Sequence, residues 1–299
     1  MNEVQLYGRH LLRDQIVAAF EHEGIVAHAF TDLATLYRQA KREVPVIVWT
    51  TDNKHAVMAA GQLRLHGFLP HRYWIGSDVL RFITAGRMLG GMLRSGNRCF
   101  LSHTANAPWL TDELANRGII ASSLPINPAC CAEHWPMPPA PTGPYTVIYY
   151  SLADNDAIYQ PGAMMAAATA LPGVRFLTIG NRDLSGGPAN VEHRGLLSAE
   201  ACRRLYRESD AVVRFTSHDG FSRMVLEAMS SGLDVLFAHE VPHTHRVTSV
   251  DEVVATLRRL SSRPRERNIA ARNYALAQFT ARKWSDAWRR TFDLTTASA

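Results

Sequence analysis

Along the first half of the chain, short apolar runs alternate with stretches in which apolar residues recur every three or four positions. The runs at residues 4–7, 25–29, 46–49, 73–75, 99–101 and 119–124 have the length of strands buried on both faces. Between them lie helical patterns such as Leu33, Leu36, Tyr37 and Ala40. This alternation predicts a parallel sheet covered by helices on both sides, hence a doubly wound α/β domain. Proline then breaks the pattern. Pro128, Pro136, Pro138, Pro139, Pro141 and Pro144 fall between Ile126 and Tyr145 without helical periodicity, the composition of a stiff linker over residues 128–144. Beyond it the alternation resumes. Residues 145–150 and 174–180 read as strands around a helix at 162–170, Ser198 caps a helix carrying Cys202, Leu205 and Tyr206, and 211–215 reads as another buried strand. The expected organisation is one domain over residues 1–127, a second over 145–280, and a closing helix in 281–299 with Trp284 and Trp288 on one face.

Composition narrows the class. With 299 residues and 46% hydrophobic content the chain can build two packed cores, and it shows no repeat. No apolar run is long enough to span a bilayer and the start Met1-Asn2-Glu3-Val4 lacks a secretory leader, so a cytoplasmic protein is expected. Cys99, Cys130, Cys131 and Cys202 form neither a disulfide framework nor paired C-x-x-C motifs. Cys130, Cys131 and His134 are near one another in sequence, but adjacent cysteines do not easily share a tetrahedral site, and no metal is expected.

Chemistry concentrates in the stretch Asp219-Gly220-Phe221-Ser222-Arg223-Met224-Val225-Leu226-Glu227-Ala228-Met229. Thr216-Ser217-His218-Asp219-Gly220 is turn chemistry, with a glycine free to take positive φ. A helix should start near Ser222 and stop at Gly232, because Met224, Val225 and Ala228 keep helical spacing. Two carboxylates eight residues apart thus bracket a helix start whose N–H groups and macrodipole attract phosphate and hydroxyl oxygens. That geometry suits a sugar nucleotide. The plainer reading makes Asp219 a turn former and Glu227 a carboxylate favoured by the helix dipole.

The segment resembles the donor-binding signature of the retaining glycosyltransferases of family four: an acidic residue, Gly-Phe-Gly or a close variant, four apolar-leaning residues, then Glu-Ala-Met. Asp219 stands where that family usually has Glu, and Ser222 stands for its second small residue. The match runs in order over residues 145 to 240. It includes the Arg194-Gly195 loop that would receive the base and the turn Arg207-Glu208-Ser209-Asp210-Ala211. The resemblance implies a GT-B fold, two doubly wound Rossmann-like domains facing across a cleft, with the last helix crossing back to the first. It gives Asp219 the donor sugar hydroxyls and Glu227 the ribose hydroxyls, and sets Gly220, Phe221 and Ser222 around sugar or phosphate oxygens. It implies retaining transfer from a nucleoside diphosphate sugar to a hydroxyl of a glycan or lipid-linked acceptor in bacterial glycan assembly, with no metal and no further cofactor.

This chain departs from the pattern in two places. The family carries an Arg and a Lys after the first strand of its donor domain, where this chain reads Ser151-Leu152-Ala153-Asp154-Asn155-Asp156. Lysine occurs only at Lys41, Lys54 and Lys283, so a diphosphate clamp has to be arginine: Arg223, Arg182 or Arg9, the last beside Gly8 in the opening turn. Each also reads as an ordinary solvated arginine, and Gly8 as a simple turn. In the first domain, Ile75-Gly76 stands where the family often has His-Gly facing the reacting sugar. Ser77 or Asp78 would then supply the polarity, with Asp78 a catalytic candidate or only a helix cap. His103 is an acceptor-side candidate, while His243 and His245 sit in a loop; each also reads as a satisfied or solvated histidine. The net charge of +5 includes Arg81, Arg87, Arg94 and Arg98 among Leu80, Phe82, Ile83, Met88, Leu89, Met92 and Leu93. That basic amphipathic segment suits either anionic lipid or ordinary packing; no nucleic-acid reader motif accompanies it. Two rival readings remain, a noncatalytic nucleotide-sugar-binding subunit and a sugar-nucleotide epimerase.

Overall fold

In strand β1 (Glu3–Tyr7), Val4 and Leu6 enter one hydrophobic cluster while Tyr7 enters another, the period of two that a strand buried on both sides requires. The computed structural model describes residues 2–8, 13–124, 135, 137–153 and 155–292. After β1 come α1 (Arg13–His22), β2 (Val26–Phe30), α2 (Leu33–Gln39), β3 (Pro45–Val48), α3 (Asn53–Leu65) and β4 (Leu69–Trp74). They are followed by α4 (Ser77–Ile83), α5 (Arg87–Gly96), β5 (His103–Ala105), α6 (Pro108–Ala115) and the short β6 (Ser122–Ser123). All pairings are parallel, in the order β2-β1-β3-β4-β5-β6. One face packs on Ile16 and Phe20 of α1, the other on Leu36 of α2 and Ala56, Ala59 and Leu63 of α3.

The strand expected at residues 99–101 lies four residues later, at β5. Asn97–Cys99 is a 3₁₀ turn in which the buried Asn97 amide donates to Leu93 O at 2.8 Å. Leu101 N bonds to Pro70 O and Arg72 N to Ser102 O, so hydrogen bonding to β4 begins only at the last residue of the apolar run and the paired strand follows it. β5 reads His-Thr-Ala, and its buried Thr104 hydroxyl is accommodated by donating to Arg72 O at 3.2 Å. Of the run 119–124, only Ser122 and Ser123 pair as a strand.

The second sheet is built from β7 (Tyr145–Tyr150), α7 (Asp156–Tyr159), α8 (Pro161–Ala170), β8 (Val174–Ile179), β9 (Val191–His193), α9 (Ala199–Arg207) and β10 (Ala211–Arg214). It continues through α10 (Arg223–Ser230), β11 (Asp234–Phe237), β12 (His245–Arg246), α11 (Val250–Ser261) and α12 (Ile269–Gln278). Its parallel order is β12-β11-β10-β7-β8-β9. Tyr145, Val147 and Tyr149 face Ala167 and Ala168 of α8 and Leu257 of α11 in a single cluster. Pro128 and Pro136 of the expected linker lie outside the described residues. The later prolines serve as acceptors: Arg267 donates to Pro138 O and Pro139 O, and Arg265 to Pro141 O.

By compactness the chain divides into Met1–Ala129, His218–Phe221 and Phe279–Ala299 in one unit, and Cys130–Ser217 with Ser222–Gln278 in the other. The last helix, α13 (Ala281–Phe292), packs in the first unit: Trp284 lies 4.3 Å from Phe20 and Trp288 5.5 Å from Tyr73, centroid to centroid. Among the described residues, no helix is long and apolar enough to cross a membrane. Trp288→Ala removes a fully buried ring from this cluster. It should lower unfolding free energy by about 3–5 kcal/mol in urea titrations, the cost typical of deleting a core tryptophan.

Candidate active site

In the second sheet strand order reverses between β7 and β10, and in open parallel sheets ligands bind outside the carboxyl ends of the strands at such a point. Helix α10 packs on β10 and β11 and begins at Ser222, whose side chain makes no capping hydrogen bond. Glu227 occupies its second turn and is nearly buried. Its Oε1 accepts from Arg223 Nη2 and its Oε2 from Tyr206 OH, both at 3.2 Å. Burial pushes the Glu227 carboxyl above the usual glutamate range, opposed by Arg223 and by the Tyr206 hydrogen bond. A carboxylate offers about four acceptor positions, so hydroxyl donors can still be received.

Each described arginine expected at the donor, whether for the diphosphate or in the loop that would receive the base, has a carboxylate partner. Arg223 pairs with Glu227, Arg182 with Asp156 at 2.8 Å, and Arg194 with Glu192 at 2.8 Å. Arg9 and Asp154 lie outside the described residues. Arg214, at the end of β10, was missed in the sequence. It is almost buried, 5.0 Å from the Tyr159 ring centroid and 5.6 Å from that of Tyr150. An arginine inside the apolar run Ala-Val-Val-Arg-Phe was the available signal, since arginine is rarely buried without a specific contact. The buried hydroxyl of Thr216, just beyond β10, has no hydrogen-bond partner among the described residues. Ser217 is fixed by α7, its N donating to Ile158 O at 3.0 Å and its Oγ to Ala157 O at 2.7 Å. An open cavity of about 490 Å³ lined by Tyr145, Leu171, Arg258 and Arg265 lies at the opposite, N-terminal ends of β7 and β8. It is not where this sheet presents its loops and helix start.

The loop His218–Phe221 belongs to the first unit. Trp109 Nε1 donates to Asp219 O at 2.7 Å, and its ring stacks on Phe221 at 6.1 Å. His218 Nε2 meets Glu113 Oε2 at 2.8 Å, and Phe221 packs on Phe279. The loop's main chain is thereby set, with Asp219 half-buried. The glycine is required here for a different reason from the one expected. Gly220 is not among the residues with positive φ; instead a Cβ there would lie 2.5 Å from Ile75 O and 2.6 Å from Asn106 Oδ1. The positive φ falls on Gly76, at +119°, where a Cβ would sit 2.6 Å from Gly220 N. Two glycines touch backbone to backbone. Asn106, Trp109 and Glu113, which make this seat, were not singled out in the sequence.

Asp78 is the clearest correction among the site residues. It has no exposure, and its Oδ1 accepts from Ile75 N, Gly76 N and Val79 N at 3.0 to 3.1 Å. Its Oδ2 lies 3.6 Å from Arg72 Nη2, itself buried on the Trp74 ring and donating to Asn53 Oδ1. A carboxylate enclosed in this way does not reach a substrate, so Asp78 positions the Ile75-Gly76 turn rather than taking part in catalysis. The helix cap is Gly76, with Asp78 in the first turn reaching back to the turn amides. Ser77 is exposed beside it. His103 is set into the core edge, its Nδ1 accepting from Trp74 Nε1 at 3.3 Å. Gly8 has φ +144°, and a Cβ there would lie 1.9 Å from Trp49 O, so backbone packing accounts for it. Among the described residues, no group of three or more His, Cys, Asp or Glu is placed to hold a metal. Cys130, Cys131 and His134 lie outside them.

No protein-family model matches the chain, and no curated protein matches it. Solved structures do. The Anabaena protein HepE, crystallised with UDP and glucose, is 12% identical, with a TM-score of 0.70 over 99% of this chain and 100% of that one. Sucrose-phosphate synthase from Thermosynechococcus elongatus is 12% identical, with a TM-score of 0.73 over 99% and 100%. A UDP-forming α,α-trehalose-phosphate synthase from Burkholderia xenovorans is 13% identical, with a TM-score of 0.69 over the whole of both chains. The fold is GT-B, an α/β architecture with two doubly wound units. The structural neighbours are GT-B glycosyltransferases.

Burial lowers His103 to about 4, helped by the charge of Arg72, and lowers His71 to about 4, helped by His103. In the unfolded chain both take up a proton near 6.5. Between about pH 6.5 and 4 the unfolded state therefore binds more protons, and stability is lost as pH falls through that window. Urea unfolding at pH 5 and pH 7 should show about 2 kcal/mol less stability per histidine at the lower pH, and His103→Gln should about halve the difference, leaving the share of His71.

Proposed function

We propose that this protein is a glycosyltransferase that moves a sugar from a nucleoside diphosphate donor to an acceptor hydroxyl with retention of anomeric configuration. The observation that carries this reading is the near-buried Glu227 carboxylate on α10, eight residues after Asp219, at the switch point of a GT-B unit. Glu227 receives the ribose hydroxyls, and Asp219 receives hydroxyls of the transferred sugar. The bond from the anomeric carbon to the diphosphate oxygen breaks while the acceptor oxygen bonds to the same face. The acceptor proton passes to the departing diphosphate oxygen. The α10 helix start and an arginine released from its carboxylate offset the leaving-group charge, a preorganised electrostatic contribution that requires no metal. HepE, a fold neighbour, was crystallised with UDP and glucose, which supports a nucleotide sugar here. The acceptor class is a glycan or lipid-linked hydroxyl in bacterial polysaccharide assembly at the cytoplasmic side.

A second reading, a noncatalytic nucleotide-sugar-binding subunit, is favoured by one observation. Arg182, Arg194 and Arg223 each face a carboxylate, and the stretch after β7 supplies no cation. A chain that binds but never turns over its donor has less need of a strong leaving-group clamp.

Glu227→Gln should weaken nucleoside diphosphate binding by about 1.5–3 kcal/mol, the range for hydrogen bonds to a charged group. Calorimetry on the folded variant checks it, and unchanged affinity removes the ribose assignment. Asp219→Asn should lower kcat much more than nucleotide affinity, because its interaction strengthens as the sugar ring gains positive charge. Product configuration read by NMR decides the stereochemistry. An inverted product overturns retention, and binding without transfer or hydrolysis across a broad acceptor panel gives the noncatalytic reading the lead.

A further inference from the structure

Helix α5 has a solvent face that the fold leaves uncovered. Its inner side is firmly seated: Leu93 and Asn97 are buried, and a Cβ at Gly96 would lie 2.0 Å from Val57 Cγ1 of α3. Its outer side exposes Met88 at 82% and Met92 at 66%, four residues apart, while α3 exposes Met58 at 66% and Leu65 at 87%, seven apart. At about 100° per residue Arg87 and Arg94 fall on one edge of this face and Met88 and Met92 on the other, the edge nearer Gly96 and hence α3. From Val79 to Leu110 the sequence has Arg81, Arg87, Arg94 and Arg98 and no aspartate or glutamate. All four arginines are exposed; Arg81 donates to Thr51 O, and the other three make no ion pair with a described residue.

We propose that this α5–α3 face docks on an anionic lipid bilayer. The chemistry fits one occupant. Methionine side chains are flexible enough to enter a fluid acyl boundary, and arginines beside them can rest their stems on it while meeting headgroup phosphates. A second copy of the chain is disfavoured, because a symmetric contact would bring two sets of uncompensated arginines together. The inference rests on the first unit alone and goes beyond glycosyl transfer, which it would bring to lipid-linked acceptors at the membrane surface.

The test is co-sedimentation of the full chain with vesicles of phosphatidylcholine alone or mixed with phosphatidylglycerol. Wild type should bind the mixed vesicles, weakly or not at all the neutral ones, and release with salt. Each arginine near an anionic surface contributes about fivefold to partitioning, so Arg87→Ser with Arg94→Ser should cost about twenty-five-fold. Met88→Ser with Met92→Ser should also reduce binding. All four side chains are exposed, so both variants should keep the wild-type unfolding midpoint and nucleotide affinity. Equal binding to both vesicle types, no binding to either, or variants that bind like wild type overturn the proposal. So does a dimer in sedimentation velocity that the methionine variant dissolves. Vesicle binding without any nucleoside diphosphate affinity would sink the transferase reading and leave the surface standing; the reverse result would sink only the surface.

Discussion

A carboxylate withdrawn from water holds the turn on which the Asp219 loop rests. Burying Asp78 and Arg72 together opposes both charges, raising the pKa of the first and lowering that of the second. A buried pair of this kind offsets its desolvation only when hydrogen bonds complete the geometry. Here they do so through three main-chain amides on Asp78 Oδ1, the Asn53 amide oxygen and the face of Trp74 on Arg72. The consequence reaches the neighbouring backbone. With Ile75 and Gly76 held by their N–H groups, Ile75 O and the Gly76 backbone form the floor against which Gly220 packs with no room for a side chain.

The surroundings of Glu227 and of Asp219 follow different electrostatic rules. Around Glu227 charges are matched locally, with Arg223 and the Tyr206 hydroxyl on a carboxylate that burial would otherwise neutralise. Arg182 and Arg194 are matched in the same way, by Asp156 and Glu192 at the half-exposed surface. A donor diphosphate would therefore have to compete with carboxylates that are already in place, and exposed pairs of this kind are weak enough to exchange. The Asp219 loop, by contrast, is held mainly by contacts to its backbone and rings, through Trp109, Phe279 and the two facing glycines. This fixes the position of Asp219 by its main chain.

Local order was legible in the sequence because its causes are local. The apolar runs of β1 and β3, the cap at Ser198, the loop opening into α10 at Ser222 and the stop at Gly232 all depend on residues within a few positions of one another. The apolar run at 99–101 carries the local signal of a strand, while the strand that pairs is the polar-looking β5. The eight-residue spacing of Asp219 and Glu227 likewise belongs to the sequence.

Tertiary structure decided what each of those residues does. Trp109 is 110 positions from Asp219, His218 is 105 from Glu113, and Asn53 is 25 from Asp78, so no periodicity links them. Asp78 reads as a cap or a catalyst until burial shows its carboxylate enclosed, and Gly220 reads as a turn glycine until Ile75 O is found against it. Arg214 reads as one more residue of a buried strand until Tyr150 and Tyr159 are found against its guanidinium. Sequence alone determined the elements and the chemical groups they carry, because propensity and spacing act along the chain. Only the packed fold determined which groups face water, which face each other and which are fixed in place, because burial and long-range contact set those properties across it.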